Sequence, residues 1–276
     1  MQLFIHIGLH KTGTTVLQKL IFPKLQDIEY LGKPFDNQSI LRHIINSEKN
    51  RFIYSCESTI GTLLDSYKKK GPNYLISQCC GIKRLSEIFP NANIIIGVRS
   101  HESWILSVYK HYLKYGGTEK FENFFCPSKE SSIMHPDDFL FMPRINLVIE
   151  LFQSNLFIYR QEDLFFQPQV VVDDLSNFLG VPTIKIEEKL KILNEGVGES
   201  SAKIIMQINK FSLLRKILNS RKLKKIGVSP IRMAKFLAGK NENNIQISKE
   251  TRQIIYELYS DDYNNVSLLS KKHKHK

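Results

Sequence analysis

The first fifteen residues constrain the fold more than any other stretch of the chain. An apolar, β-branched run at residues 2–8 leads straight into the turn Gly8-Leu9-His10-Lys11-Thr12-Gly13-Thr14-Thr15, and a helical pattern follows over residues 14–25. A strand that passes through a Gly-x-x-x-x-Gly frame into a helix gathers backbone N–H groups and a helix N-terminus at one point, which is a cradle for an anion. The same unit is the first half of a βαβ crossover, so it commits the chain to a parallel sheet covered by helices.

The rest of the chain repeats the alternation. Strand-like runs at residues 51–56, 93–98 and 156–159 are separated by helical patterns at 85–89, 102–115 and 168–179, the last stopped by Gly180 and Pro182. Beyond about Asn194 the strand signals cease, and periodicity at 202–218, 230–237 and 248–259 predicts a mostly helical C-terminal third. The expected fold class is α/β, with a central parallel sheet, a P-loop-like first turn and the late helices packed beside the sheet. A chain of 276 residues buries one sizeable core. This gives a single domain over residues 1–270, with an α/β core at 1–193, a helical extension at 194–270 and a basic tail at 271–276 expected to be disordered.

Composition narrows the function classes. No apolar run approaches the roughly 20 residues that cross a bilayer, and Met1-Gln2 enters the first strand run without a secretion signal, so a soluble cytoplasmic protein is expected, with peripheral membrane contact left open. Cys56, Cys79, Cys80 and Cys126 have neither metal-site spacing nor disulfide density and read as reduced, mostly buried thiols. Lys and Arg outnumber Asp and Glu by 39 to 27, a formal +12, with much of the excess at residues 215–225 and 271–276. A field of that sign collects nucleotides, acidic glycans, nucleic acid or an anionic membrane.

The first turn is not a Walker A loop, because Thr14 stands where that motif has its lysine and the lysine lies inside the loop at Lys11. From there Lys11 reaches a phosphoanhydride, while Thr14 and Thr15 supply hydroxyl and backbone donors. A second anion site is predicted where Arg99 closes the run at 93–98 and Ser107 follows about two turns into the next helix, since an arginine and a serine so placed can bracket one phosphate. Glu57, directly after the run at 51–56, falls on the same carboxyl edge of the sheet as Lys11 and Arg99, the edge along which open α/β sheets bind ligands. His10 and His101 adjoin the two anion motifs, whereas His6, inside the first strand, reads as a core residue.

Together these segments resemble the sulfotransferases that use 3′-phosphoadenosine 5′-phosphosulfate (PAPS). Lys11-Thr12-Gly13-Thr14-Thr15 is similar to that family's 5′-phosphosulfate loop. Gly97-Val98-Arg99 through Ser107-Val108-Tyr109 is similar to its 3′-phosphate segment, with His101-Glu102 replacing the usual proline. Tyr159-Arg160-Gln161-Glu162-Asp163-Leu164 and Asn177-Phe178-Leu179-Gly180 resemble its strand with a trailing Glu-Asp-Leu and the helix behind it. The resemblance spans residues 2–181, with a weaker echo at 251–269.

That resemblance implies a three-layer α/β fold, PAPS as donor, 3′-phosphoadenosine 5′-phosphate (PAP) as product and no metal. It implies nucleotide contacts from Lys11, Thr12, Gly13, Thr14, Thr15, Arg99 and Ser107, and catalytic roles for Lys11 and for Glu57 as general base, as in the glycan-modifying branch. Ser58-Thr59-Ile60 departs from that branch's Lys-Thr-Pro, and a histidine base, as in the small-molecule branch, would fall to His10 or His101. Glu162 and Asp163 read as structural, and residues 194–198 as a loop over the adenosine end. The expected activity is sulfuryl transfer to a hydroxyl or amine of an acceptor, a carbohydrate or polysaccharide precursor, with no nucleic-acid partner. Two other classes stay open: a P-loop kinase or NTPase that needs ATP and Mg²⁺, and a non-catalytic basic module for nucleic acid or anionic lipid carried by the late Lys/Arg segments.

Overall fold

The computed structural model describes residues 1–32, 37–67, 73–127, 132–152, 156–186, 190, 197–225, 227–239 and 242–272. Strands β1 (Gln2–His6), β2 (Glu29–Tyr30), β3 (Arg51–Ser55), β4 (Asn93–Val98) and β5 (Leu156–Arg160) form one parallel sheet in the order β2-β3-β1-β4-β5. Successive strand residues point to opposite faces, and this period of two divides the core. Leu3, Ile5, Phe52, Tyr54, Ile94, Ile96, Leu156 and Ile158 join one apolar cluster with the helices Asn73–Ile88, His101–Lys114, Met142–Leu151 and those of the C-terminal third. Phe4, Ile53, Ile95 and Phe157 join the other, with the helical run at residues 14–24 and the helix Pro168–Leu179. The result is the three-layer arrangement that a parallel sheet needs to cover both faces.

A carboxylate of the C-terminal helix Lys249–Lys272 joins it to the neighbouring helix layer. Asp262 accepts hydrogen bonds from the Phe141 and Met142 amides at 2.8 and 2.9 Å and so caps the helix Met142–Leu151. His101 Nε2 lies 3.2 Å from the same carboxylate, and its ring stacks on Tyr259 with centroids 4.4 Å apart.

Several elements differ from the sequence pattern. The helix predicted only around residues 85–89 is Asn73–Ile88, and its pattern is interrupted by Gly81, where the helix backbone rests on Ile60: a Cβ at Gly81 would lie 2.3 Å from the Ile60 carbonyl oxygen. The pattern at 202–218 is two helices, Glu199–Lys210 and Ser212–Leu218, divided at extended Phe211. The last helix runs through the Asp-Asp-Tyr-Asn-Asn stretch and takes Lys271 and Lys272 out of the expected tail; residues 273–276, and most of the expected loop at 194–198, lie outside the described residues. The thiols are less buried than expected, with Cys56, Cys79 and Cys126 half-buried, Cys80 exposed, and none of the four in a disulfide. Among the described residues no helix is long and apolar enough to cross a membrane.

Candidate active site

β1 lies between β3 and β4, and the chain passes over it between them, so the carboxyl ends of these strands open on one crevice. The turn after β1 is tightly wound. Both the amide and Oγ1 of Thr12 donate to the Leu9 carbonyl, at 3.3 and 2.6 Å, and the Val16 amide donates to Gly13 O at 2.9 Å. Gly13 (φ 96) and Lys11 (φ 74) occupy the left-handed region, which a lysine adopts only where its surroundings enforce it, at a cost of about 1–3 kcal/mol. A helix begins at Thr14, and the amides of Thr14 and Thr15, ahead of the first helical hydrogen bond, present partial positive charge at the turn.

A row of buried polar groups supports the turn from below. His6 Nδ1 pairs with Ser55 Oγ at 2.8 Å and His6 Nε2 with the Tyr159 hydroxyl at 3.2 Å. Gln18 Nε2 donates to the Ser55 hydroxyl and carbonyl at 3.0 and 3.2 Å. The Tyr159 hydroxyl also meets the side chains of Thr12 and Thr14. Room for that hydroxyl comes from Gly97, its neighbour across the β4–β5 ladder: a Cβ there would lie 2.3 Å from the hydroxyl oxygen and 3.0 Å from Thr12 Oγ1. Burial keeps His6 neutral, pushing its pKa from 6.5 down to about 3, and raises that of Tyr159, with the charge of Glu57 adding to the rise. The expected core role of His6 is what its complete burial shows.

A second brace grips the turn from the side. The Tyr74 hydroxyl bonds His10 Nδ1 at 2.9 Å and accepts the His10 amide at 3.4 Å, while Trp104 Nε1 donates to the His10 carbonyl at 2.8 Å. Behind both rings lies the buried Arg144, its guanidinium 5.3 Å from the Tyr74 centroid and 5.9 Å from that of Trp104, with Nη2 donating to Asp138 O at 2.8 Å. His10 therefore has its backbone and side chain both fixed, and its ring lies 6.5 Å from that of His111. His111 Nδ1 pairs with the Tyr67 hydroxyl at 2.8 Å; burial, then the charges of Lys11, His10 and Lys114, push its pKa down to about 3.

Cations converge on the turn. Arg99 Nη1 donates to the Lys11 carbonyl at 3.3 Å, and Glu162 receives the Ser100 amide at 2.8 Å while its charge supports Arg99 against the burial that lowers its pKa. On the helix His101–Lys114 that follows, Ser107, Lys110 and Lys114 recur at i, i+3 and i+7 and share a face. Burial lowers the pKa of Lys11; Glu57 opposes this, and Lys114 and Arg99 add to it. Lys110 is lowered likewise by burial and then by Arg99. These groups repel one another, which is the electrostatic state of a site built to take an anion. Glu57 opens the turn Glu57–Ile60 after β3, within electrostatic reach of Lys11, Tyr74 and Tyr159.

Of the residues expected from sequence, Lys11, Thr12, Gly13, Thr14, Thr15, Arg99 and Glu57 meet at this crevice, and Ser107 lies on the helix face that carries Lys110 and Lys114. The Thr12 hydroxyl turns inward to Leu9, so Thr12 braces the loop rather than offering its side chain to a ligand. His101 packs on the C-terminal helix. Tyr67, Tyr74, Trp104, His111 and Tyr159 were not anticipated; Lys110 and Lys114 were readable from their helical spacing to Ser107.

No family model matches the chain, and no curated protein sequence matches it. Among solved structures it is similar to a sulfotransferase from Alicyclobacillus acidocaldarius, at 16% identity and a TM-score of 0.51, over 70% of this chain and 87% of that one. It is also matched to mouse sulfotransferase SULT7A1 complexed with PAP, at 15% identity and a TM-score of 0.46, over 99% of this chain and 87% of that one. The first likeness shows that the three-layer sheet described above is the fold of a sulfotransferase.

Proposed function

We propose that the chain is a PAPS-dependent sulfotransferase acting on a hydroxyl of a carbohydrate acceptor. The observation that carries this reading is the pairing of an anion-binding turn, whose lysine lies within the loop, with a carboxylate on the neighbouring strand end: Lys11 and Glu57 are close enough for each charge to act on the other. The turn amides and Thr15 hold the 5′-phosphosulfate, and Arg99 with Ser107 and Lys110 receives the 3′-phosphate. Glu57 takes the acceptor proton as its oxygen attacks sulfur in line. The bond from sulfur to the 5′-phosphate oxygen breaks, PAP leaves, and Lys11 meets the charge that builds on it. The rings of His111, beside Lys11, and of Tyr115, which packs on it and is half exposed, offer flat faces suited to a sugar, and Lys114 favours one that carries negative charge.

The test is transfer of ³⁵S from labelled PAPS to carbohydrate fractions. Glu57→Gln should lower turnover by about 10²- to 10⁴-fold while leaving PAP affinity unchanged. Unchanged turnover in that variant would remove Glu57 from the mechanism. Transfer of phosphate from ATP in place of sulfate from PAPS would overturn the reading in favour of a kinase.

A further inference from the structure

The excess positive charge of this protein is concentrated in one segment. Residues 201–241 contain 11 Lys and Arg and no Asp or Glu, which leaves 28 against 27 in the rest of the chain. The same segment leaves large apolar side chains in solvent: Phe211 is 64% exposed, Leu213 71%, Ile217 50% and Phe236 84%. Leu213 and Ile217 lie one turn apart on the helix Ser212–Leu218, with exposed Lys216 beside them, while Leu218 packs inward. The next helix, Arg221–Lys225, adds exposed Arg221, Lys222 and Lys225. A nucleic acid would use the cations and stack bases on Phe but gain nothing from exposed Leu213 and Ile217, and a neutral protein partner would use the apolar groups and not the cations. An anionic bilayer uses both, because apolar side chains enter the boundary between headgroups and acyl chains while Lys and Arg meet the surface charge.

The segment is also fixed in place relative to the crevice. Arg215 donates to the Tyr115 carbonyl at 2.7 Å, and its guanidinium fills the space over Gly116, where a Cβ would lie 2.4 Å away. The Tyr115 ring is 4.4 Å from that of His111, which adjoins His10 of the first turn. We infer that residues 211–225 dock the protein on an anionic lipid bilayer next to the mouth of the crevice. Docking stands independently of the chemistry proposed above; that it presents a membrane-borne acceptor to Glu57 rests on the sulfotransferase reading.

The experiment is co-sedimentation of the full chain with phosphatidylcholine vesicles, with and without about 30% phosphatidylglycerol, at low and high salt. Binding should require the anionic lipid and weaken as salt rises. It should fall by about tenfold or more in Leu213→Ser/Ile217→Ser and in Arg221→Glu/Lys222→Glu, with unfolding midpoints and PAP affinity unchanged. Absence of binding to the anionic vesicles, or binding by either variant equal to that of the parent, would overturn the inference. So would a dimer in solution that Leu213→Ser/Ile217→Ser dissociates, or RNA binding in place of vesicle binding that the apolar variant retains. Because the readout needs no turnover, it fails or succeeds separately from the proposed activity.

Discussion

Gly97→Ala tests whether the buried row beneath the first turn holds that turn in shape. Gly97 has an ordinary strand backbone, and in a strand interior alanine is favoured over glycine by about 0.5–1 kcal/mol. Without a neighbour the substitution would therefore stabilise. Here the new Cβ would sit 2.3 Å from the Tyr159 hydroxyl oxygen and 2.4 Å from its ring carbon, so the ring must move by more than 1 Å in a core that lacks the room. Overpacking of this kind costs about 1–3 kcal/mol. Displacing the hydroxyl from His6 adds about 1–3 kcal/mol for polar groups left unpaired. After the strand preference is subtracted, Gly97→Ala should destabilise by about 1–5 kcal/mol. In a Tyr159→Val background the clash and the hydroxyl are both absent, and the same substitution should be neutral or stabilising, giving a coupling of about 3 kcal/mol in the double-mutant cycle. The assay is urea unfolding followed at constant m, with PAP affinity measured alongside. A neutral Gly97→Ala in the parent, or an equal cost in both backgrounds, would refute the role of Tyr159 as the contact that shapes the turn.

Other perturbations test the remaining parts. Arg99→Ala should weaken PAP binding about 10- to 100-fold, the loss of charge-assisted hydrogen bonds contributing about 1.5–3 kcal/mol, and calorimetry showing normal affinity would remove Arg99 from the phosphate site. Lys11→Met should cut turnover by about 10²- to 10³-fold. In the parent, kcat/KM should fall on the alkaline side with a midpoint below the ordinary lysine range, because burial depresses the Lys11 pKa in the free protein and only the protonated form offsets leaving-group charge; a profile flat through that range would contradict this. His6 gives a stability prediction of definite sign. Its folded pKa, about 3, lies below the ordinary 6.5, so the unfolded chain takes up a proton first as pH falls, and stability complete above pH 6.5 is lost between 6.5 and about 3. The slope from this group approaches 1.4 kcal/mol per pH unit, and unfolding midpoints that do not flatten over this window in His6→Asn would contradict it.

The sheet was legible in sequence wherever strands are buried on both faces. The runs at 2–8, 51–56, 93–98 and 156–159 became β1, β3, β4 and β5, because continuous apolar stretches bounded by polar residues leave little choice. β2 is two residues, Glu29 and Tyr30, and its pairing with Phe52 and Ile53 is a tertiary event that no local pattern announces. The helix Asn73–Ile88 was hidden because Gly81 is present for contact with Ile60 rather than for helix propensity. The site divides in the same way. Arg99 and Glu57 come just after the ends of β4 and β3 and Lys11 lies in the turn that leaves β1, so strand order and one short turn bring them together. Tyr74 and Trp104 reach the turn from helices 60 or more positions away in sequence, with Arg144 behind them, and the His6–Ser55–Tyr159 row exists only through strand register. Burial of aromatic and polar groups against one loop is a property of the packed structure, and the sequence carries no spacing rule for it.

The most direct measurement of the central claim is calorimetric titration of the full chain with PAP, adenosine 5′-phosphosulfate and ATP with Mg²⁺. Saturable binding of PAP, much weaker binding of the compound that lacks a 3′-phosphate, and no preference for ATP would agree with a donor site formed by the first turn and Arg99. Absence of PAP binding, or tighter binding of ATP with Mg²⁺, would contradict it.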